Sequence, residues 1–271
     1  MDDIVPSDPI TSLEQRFPLK DLLPLDYFQK YRQEYYGRRD EGWQIPPRNY
    51  HNLLQYLTEI HEHRIDDAKT FAKALRTGAA DERNSEATFA EIIVYRYYIR
   101  LVHEGIVKSV RLGRQECDVI LERVDASTAF LEVFSIKPDL QVPDPGKAVL
   151  NKINTHTQDA LSSVRQKLLR KIAKQKQMRK PRENYAVIEL NEVSIAGSFA
   201  VLSSLSSGYK VTIDKTTMKT VDAGYDWTNS VFDDEALRHL KAVIFFDLGD
   251  YESRRFVHNP RFPGTVGSAT V

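Results

Sequence analysis

Two acidic residues, Asp118 and Glu132, lie in short apolar runs, ECDVILE and TAFLEVFS, separated by RVDAS at 123–127. Both runs read as strands, and Asp125 and Ser127 favour a turn between them. With that loop, Glu122 pairs with Thr128, and each step outward pairs residues whose numbers sum to 250, so Asp118 faces Glu132. Opposed residues of an antiparallel ladder share a face, roughly 4.5–5.5 Å apart. Two carboxylates so close repel, and one takes up a proton unless a cation joins them. A divalent cation, Mg²⁺ or Mn²⁺, resolves the conflict, because Mg²⁺ prefers a few carboxylate oxygens plus water. The alternative is that one carboxylate ends a strand and is solvated or salt-bridged, which avoids burying a charge.

A third acid, Glu91, precedes the hairpin in TFAEIIVYRYYIRL, where its neighbours Phe89, Ile92, Ile93 and Tyr95 indicate a largely buried helix. It is a candidate third metal ligand, with Glu86 as its competitor. The plainer reading pairs Glu91 with Arg96 or Arg100 on the surface.

The elements that must position these residues form an α/β pattern. Residues 1–83 read as a helical N-terminal region, with helices near 26–37, 48–63 and 66–77; Leu53, Leu54, Leu57 and Ile60 recur at helical spacing. The stretch RTGAADERNSE at 76–86 marks a boundary. Residues 84–250 alternate helix and strand, which predicts a central mixed sheet flanked by helices. A helix over 86–104 is closed by Gly105, and strands follow near 106–112, 116–122 and 128–136. A long helix near 147–179 comes next, then a strand at 185–192, a helix at 193–205, a strand near 209–214, a short helix at 233–240 and a strand at 241–247. Residues 251–271 read as an irregular tail.

The order of these features resembles the PD-(D/E)XK nuclease superfamily: a helix with Glu91, a strand with Asp118, a strand with Glu132 in FLEVFSI, then a long helix. The resemblance covers roughly 84–192. It implies a restriction-endonuclease-like core, with Glu91, Asp118 and Glu132 as Mg²⁺ ligands and hydrolysis of phosphodiester bonds in DNA or RNA. It departs from the family pattern at Phe134, which stands where a lysine usually lies two residues after the second acid. In this superfamily that lysine sometimes moves to the following helix. Here Leu161, Val164, Leu168 and Ile172 form the apolar stripe of HTQDALSSVRQKLLRKIAKQKQ, with Gln175 within it and Lys171 at its edge. Lys171 and Gln175 are therefore the candidates for the remaining catalytic positions, against a plain snorkelling role for Lys171. The competing interpretation keeps the fold without catalysis, as an inactive module that binds nucleic acid or another protein.

Between Arg165 and Arg182 the chain carries nine Lys and Arg and no acid, among them Arg165, Lys167, Arg170, Lys174 and Lys176. In a chain of formal net charge zero this local excess suits a phosphate backbone, although such runs are often simply solvated. His61 and His63, two apart on a helix, point to different faces, and Cys117 reads as a small buried hydrophobe. A single cysteine, an acidic proline-broken start and the absence of a long apolar stretch suggest a cytoplasmic protein without a membrane span. Homodimer formation, or assembly through the N-terminal helices, stays open.

Overall fold

The structure is a computed structural model that describes residues 9–78, 82–114, 116–136, 165–166, 168–170, 182–190 and 198–262. It is an α/β protein with a six-stranded mixed sheet, helices on the sheet and a helical N-terminal region.

Four helices open the chain: α1 (Pro9–Arg16), α2 (Gln29–Asp40), α3 (Tyr50–His63) and α4 (Ile65–Thr77). Helix α3 begins at Asn49, whose side chain accepts the N–H of Asn52 at 2.9 Å, satisfying one orphan donor of the first turn. Its stripe Leu53, Leu54, Leu57 and Ile60 is buried, as the spacing requires. Helix α5 (Glu82–His103) follows and ends at Gly105, whose φ of +72° lets the chain turn back so that Ile106 N–H reaches the Leu101 carbonyl.

Strands β1 (Val107–Leu112), β2 (Val119–Arg123) and β3 (Thr128–Ile136) form an antiparallel meander. The register of β2 on β3 runs Val119 to Leu131, Ile120 to Phe130, Leu121 to Ala129 and Glu122 to Thr128, the pairing derived above. The intervening loop is closed by Arg123 N–H on the Ser127 carbonyl, and Asp125 accepts the N–H of Ser127 at 2.9 Å. Strand β4 (Glu183–Leu190) lies parallel to β3, β7 (Leu240–Asp247) parallel to β4, and β8 (Asp250–His258) antiparallel to β7, giving the order β1-β2-β3-β4-β7-β8. Helix α6 (Ser198–Leu205) and a separate hairpin, β5 (Tyr209–Ile213) with β6 (Thr220–Tyr225), lie between β4 and β7.

Two expectations need correcting. Residues 250–258 are a sheet strand rather than the start of an irregular tail; the run DYESRRFVH hides its strand character because only Tyr251 and Val257 are fully buried. The expected helix at 233–240 is replaced by two short 3-10 turns, Val231–Asp233 and Glu235–Leu237, before β7 begins.

Alternate residues of β3 serve two cores. Leu131 and Val133 pack with Tyr185, Val187, Ile244 and Phe246 in one cluster, which also contains α5 and the N-terminal helices. Phe134 and Ile136 pack with Leu168, Ile188, Val243 and Phe245 on the other face. The N-terminal region thus shares a core with the sheet. Asp67 of α4 ties it there: its carboxylate accepts the Tyr95 hydroxyl at 2.7 Å and the Leu112 N–H at 3.0 Å. No described helix is long and apolar enough to cross a membrane.

Candidate functional site

Asp118 lies one residue before β2, and its backbone N–H donates to the Leu131 carbonyl at 3.1 Å. The paired register itself ends at Val119 and Leu131, and this bond, to Leu131 rather than to Glu132, leaves Asp118 at the mouth of the ladder, where it and Glu132 both lie close enough to the Cys117 thiol to raise its pKa. Its side chain Oδ2 accepts the N–H of Val133 at 2.7 Å. A carboxylate that receives a backbone N–H is held in one orientation by a charge-assisted bond. Glu132 is 3% exposed, and strand alternation places it on the face of Phe134 and Ile136. The pair is therefore half-buried at Asp118 and deeply buried at Glu132.

The loop leading to Asp118 is tight. Gly113 donates its N–H to the Asp118 carbonyl at 3.0 Å, and its own carbonyl receives Glu116 N–H at 3.0 Å. A Cβ on Gly113 would sit 2.7 Å from the Cys117 sulfur, so this close approach requires glycine. Cys117 is buried, and its thiol contacts the Val119 carbonyl at 3.1 Å. Burial, reinforced by the charges of Asp118 and Glu132, pushes the thiol up to about 12.

A cation that the hairpin argument did not single out stands beside this loop. Arg182, just before β4, donates to Glu116 Oε2 at 2.7 Å, to the Glu116 carbonyl at 3.0 Å and to Asn184 Oδ1 at 3.1 Å. Its guanidinium lies 3.7 Å from the ring centroid of Phe130, and its charge opposes the rise in the Cys117 thiol. Phe130 is two residues before Glu132 on the same face. Arg182 sits at the end of the basic run, which is the signal that pointed towards it.

The other expected site residues divide as follows. Glu91 is half-buried on α5, the helix that packs with the odd-numbered residues of β3, whereas Glu132 projects from the even-numbered side. Among the described residues, no group of three or more His, Cys, Asp or Glu is arranged to hold a metal ion. Glu86 is buried on the α5 side, and its carbonyl receives Arg48 Nη2 at 3.1 Å. Arg165 and Arg170 are exposed, while Leu168 between them is buried against Phe134 and Ile136, on the face that carries Glu132. Lys167, Lys171, Lys174, Gln175 and Lys176 lie outside the described residues.

Two further polar features lie away from the pair. Arg48 Nη1 meets Glu189 Oε2 at 2.6 Å in the core beneath the N-terminal helices, next to a cavity of about 120 Å³ lined by Arg48, Asn49, Tyr50 and Phe89. His63 and His103 approach with ring centroids 6.0 Å apart, a partnership that spacing within α3 could not reveal. Burial, followed by the His103 charge, lowers the His63 pKa.

The donor set at Asp118 and Glu132 is all oxygen, which suits a hard cation such as Mg²⁺ completed by water rather than zinc. No family model, no curated protein and no solved structure matches the chain.

Proposed function

We propose that the chain is a PD-(D/E)XK-like, metal-dependent nuclease that hydrolyses phosphodiester bonds in DNA or RNA. The observation that carries this reading is the nearness of Asp118 and Glu132 at the mouth of the β2–β3 ladder, where Asp118 is held by the Val133 N–H at 2.7 Å and both charges act on the Cys117 thiol. The order of elements supports it as well: a buried helix, an antiparallel meander, then a strand parallel to β3, as the resemblance implies.

In this reading Asp118 and Glu132 hold Mg²⁺, which when bound polarises the scissile phosphate and acidifies a water. The chain's own residues do the rest. Val133 N–H fixes the Asp118 carboxylate, and burial holds the Glu132 side chain in place. Arg165 and Arg170, exposed on the same side of the sheet as Leu168, are available to phosphate oxygens. Lys171 and Gln175 remain the proposed catalytic companions, and Lys167, Lys174 and Lys176 the proposed extension of the phosphate-binding face.

A second reading has its own observation. Phe134, in the position of the family's lysine, is 3% exposed and built into the core with Ile136 and Leu168. A side chain so placed supports a fold kept as a binding module without catalysis. Incubation with plasmid and single-stranded substrates in Mg²⁺ or Mn²⁺ separates the two. Cleavage that disappears in Asp118→Asn supports the nuclease; cleavage that persists in that variant, or its absence in the unaltered protein with every substrate, sinks it.

A further inference from the structure

The β5–β6 hairpin is built unlike the main sheet. Every residue of β5 is exposed. The register pairs Tyr209 with Tyr225 and Val211 with Ala223, so strand alternation gathers Tyr209, Val211, Ile213, Ala223 and Tyr225 on one face. Val221, beside the irregularity in β6, and Met218, at the tip, extend the apolar surface. Val211 and Ile213 are each 50% exposed, Val221 67% and Met218 76%, so this short arm concentrates several exposed apolar residues.

The arm is nevertheless held in shape. At its tip Asp214 accepts the N–H groups of Thr216 and Thr217 at 2.7 and 2.9 Å, and Met218 adopts a φ of +52°. At its base the Tyr225, Trp227 and Phe232 rings run in series, with centroids 6.4 and 5.9 Å apart, into the core on the Phe134 side of the sheet. A two-stranded ribbon alone is marginal in water, and burying its apolar face would stabilise it.

We infer that this face docks onto the same face of a second copy of the chain. Charge decides against nucleic acid as the occupant. Between residues 209 and 226 three lysines are balanced by three aspartates, and Lys210 is already paired with Asp226. A ribbon that enters a DNA groove needs a net positive charge, which this one lacks. The apolar face carries no charge, so two copies meet across a two-fold axis without like-charge repulsion. The zero formal net charge of the whole chain also removes long-range repulsion between copies. The exposed side chains leave on the order of 500 Å² of largely apolar surface on each copy. Two copies face to face would cover about 1,000 Å², the lower bound for a specific interface.

Sedimentation or light scattering of the full chain across micromolar concentrations tests this directly. The unaltered protein is expected at twice its 31.2 kDa mass, with dissociation on dilution. Val211→Glu and Val211→Lys, each at an exposed position, are expected to give folded monomers with an unchanged circular dichroism spectrum and a melting temperature that no longer depends on concentration. An equimolar mixture of the two variants is expected to recover the dimer, because opposite charges then meet across the axis. A monomeric unaltered protein, a dimer that survives either substitution, or a mixture that stays monomeric would overturn the proposal.

Discussion

Asp118 Oδ2 accepts the Val133 N–H at 2.7 Å, so the carboxylate proposed to hold a metal also stitches the entry of β2 to β3. The two roles can be separated. Asp118→Asn keeps an acceptor near Val133 and is expected to lose cleavage and metal binding while losing less than about 1 kcal/mol of stability. Asp118→Ala removes the acceptor as well and is expected to lose about 1–3 kcal/mol, because the Val133 N–H is left unsatisfied. Urea unfolding and metal calorimetry on both variants check this. Equal stability losses in the two would show that the Val133 bond contributes nothing.

The Arg48–Glu189 pair links the N-terminal region to β4 inside the core. Burial raises the Glu189 pKa, and the Arg48 charge opposes the rise. A carboxyl whose folded pKa is raised contributes stability fully below its unfolded value, about 4.3, and loses that contribution as pH climbs through the folded value. Arg48→Met removes the opposing charge, so the folded pKa rises further. The variant is expected to be roughly 3–5 kcal/mol less stable at neutral pH, because a buried charge then has lost its partner. Its deficit should shrink at acid pH, where Glu189 is protonated. Denaturant titrations at several pH values provide the measurement, and a deficit independent of pH would contradict this account.

Cys117 is expected to resist alkylation at neutral pH, because its thiol is buried and shifted up to about 12. Gly113→Ala forces a Cβ against Cys117 and must move the loop that precedes Asp118. That variant should show faster labelling of the folded protein by iodoacetamide, together with weaker metal binding. Labelling as slow as in the unaltered protein would mean that the loop absorbs the extra methyl group.

Ala126, in the loop between β2 and β3, adopts a φ of +64°. That conformation costs an L-residue roughly 1–2 kcal/mol, whereas glycine takes it freely. Part of the gain from Ala126→Gly is offset by the greater entropy of the unfolded chain, so a net stabilisation of about 1 kcal/mol is expected. Thermal melting decides, and a lower melting temperature would refute it.

The register of the central hairpin was legible because its turn residues are local: Asp125 and Ser127 sit where the loop closes, and the four observed pairs follow. The role of Gly105 was legible for the same reason. The orientation of Glu91 was not. Helix α5 is buried over most of its circumference, from Phe89 and Ala90 through Ile92 to Tyr95, so no polar stripe marks its outer side. Arg182 was visible only as one of nine cations, since its partners Glu116 and Phe130 are brought to it by the sheet. Strand β6 escaped because its apolar alternation of Val221, Ala223 and Tyr225 is interrupted by Asp222 and Gly224, residue types that favour turns over strands.

The alternation of β3 between two cores places an unusual demand on the three residues at 124–126. Inserting one residue there without a compensating bulge would shift β3 by one step against β2. Glu132 would then turn into the layer under α5, and Leu131 and Val133 would turn into the opposite core, on the side that now holds Glu132. The length of this short connection therefore governs which layer receives charge and which stays dry, and an insertion at the turn should be as harmful as the loss of Glu132 itself.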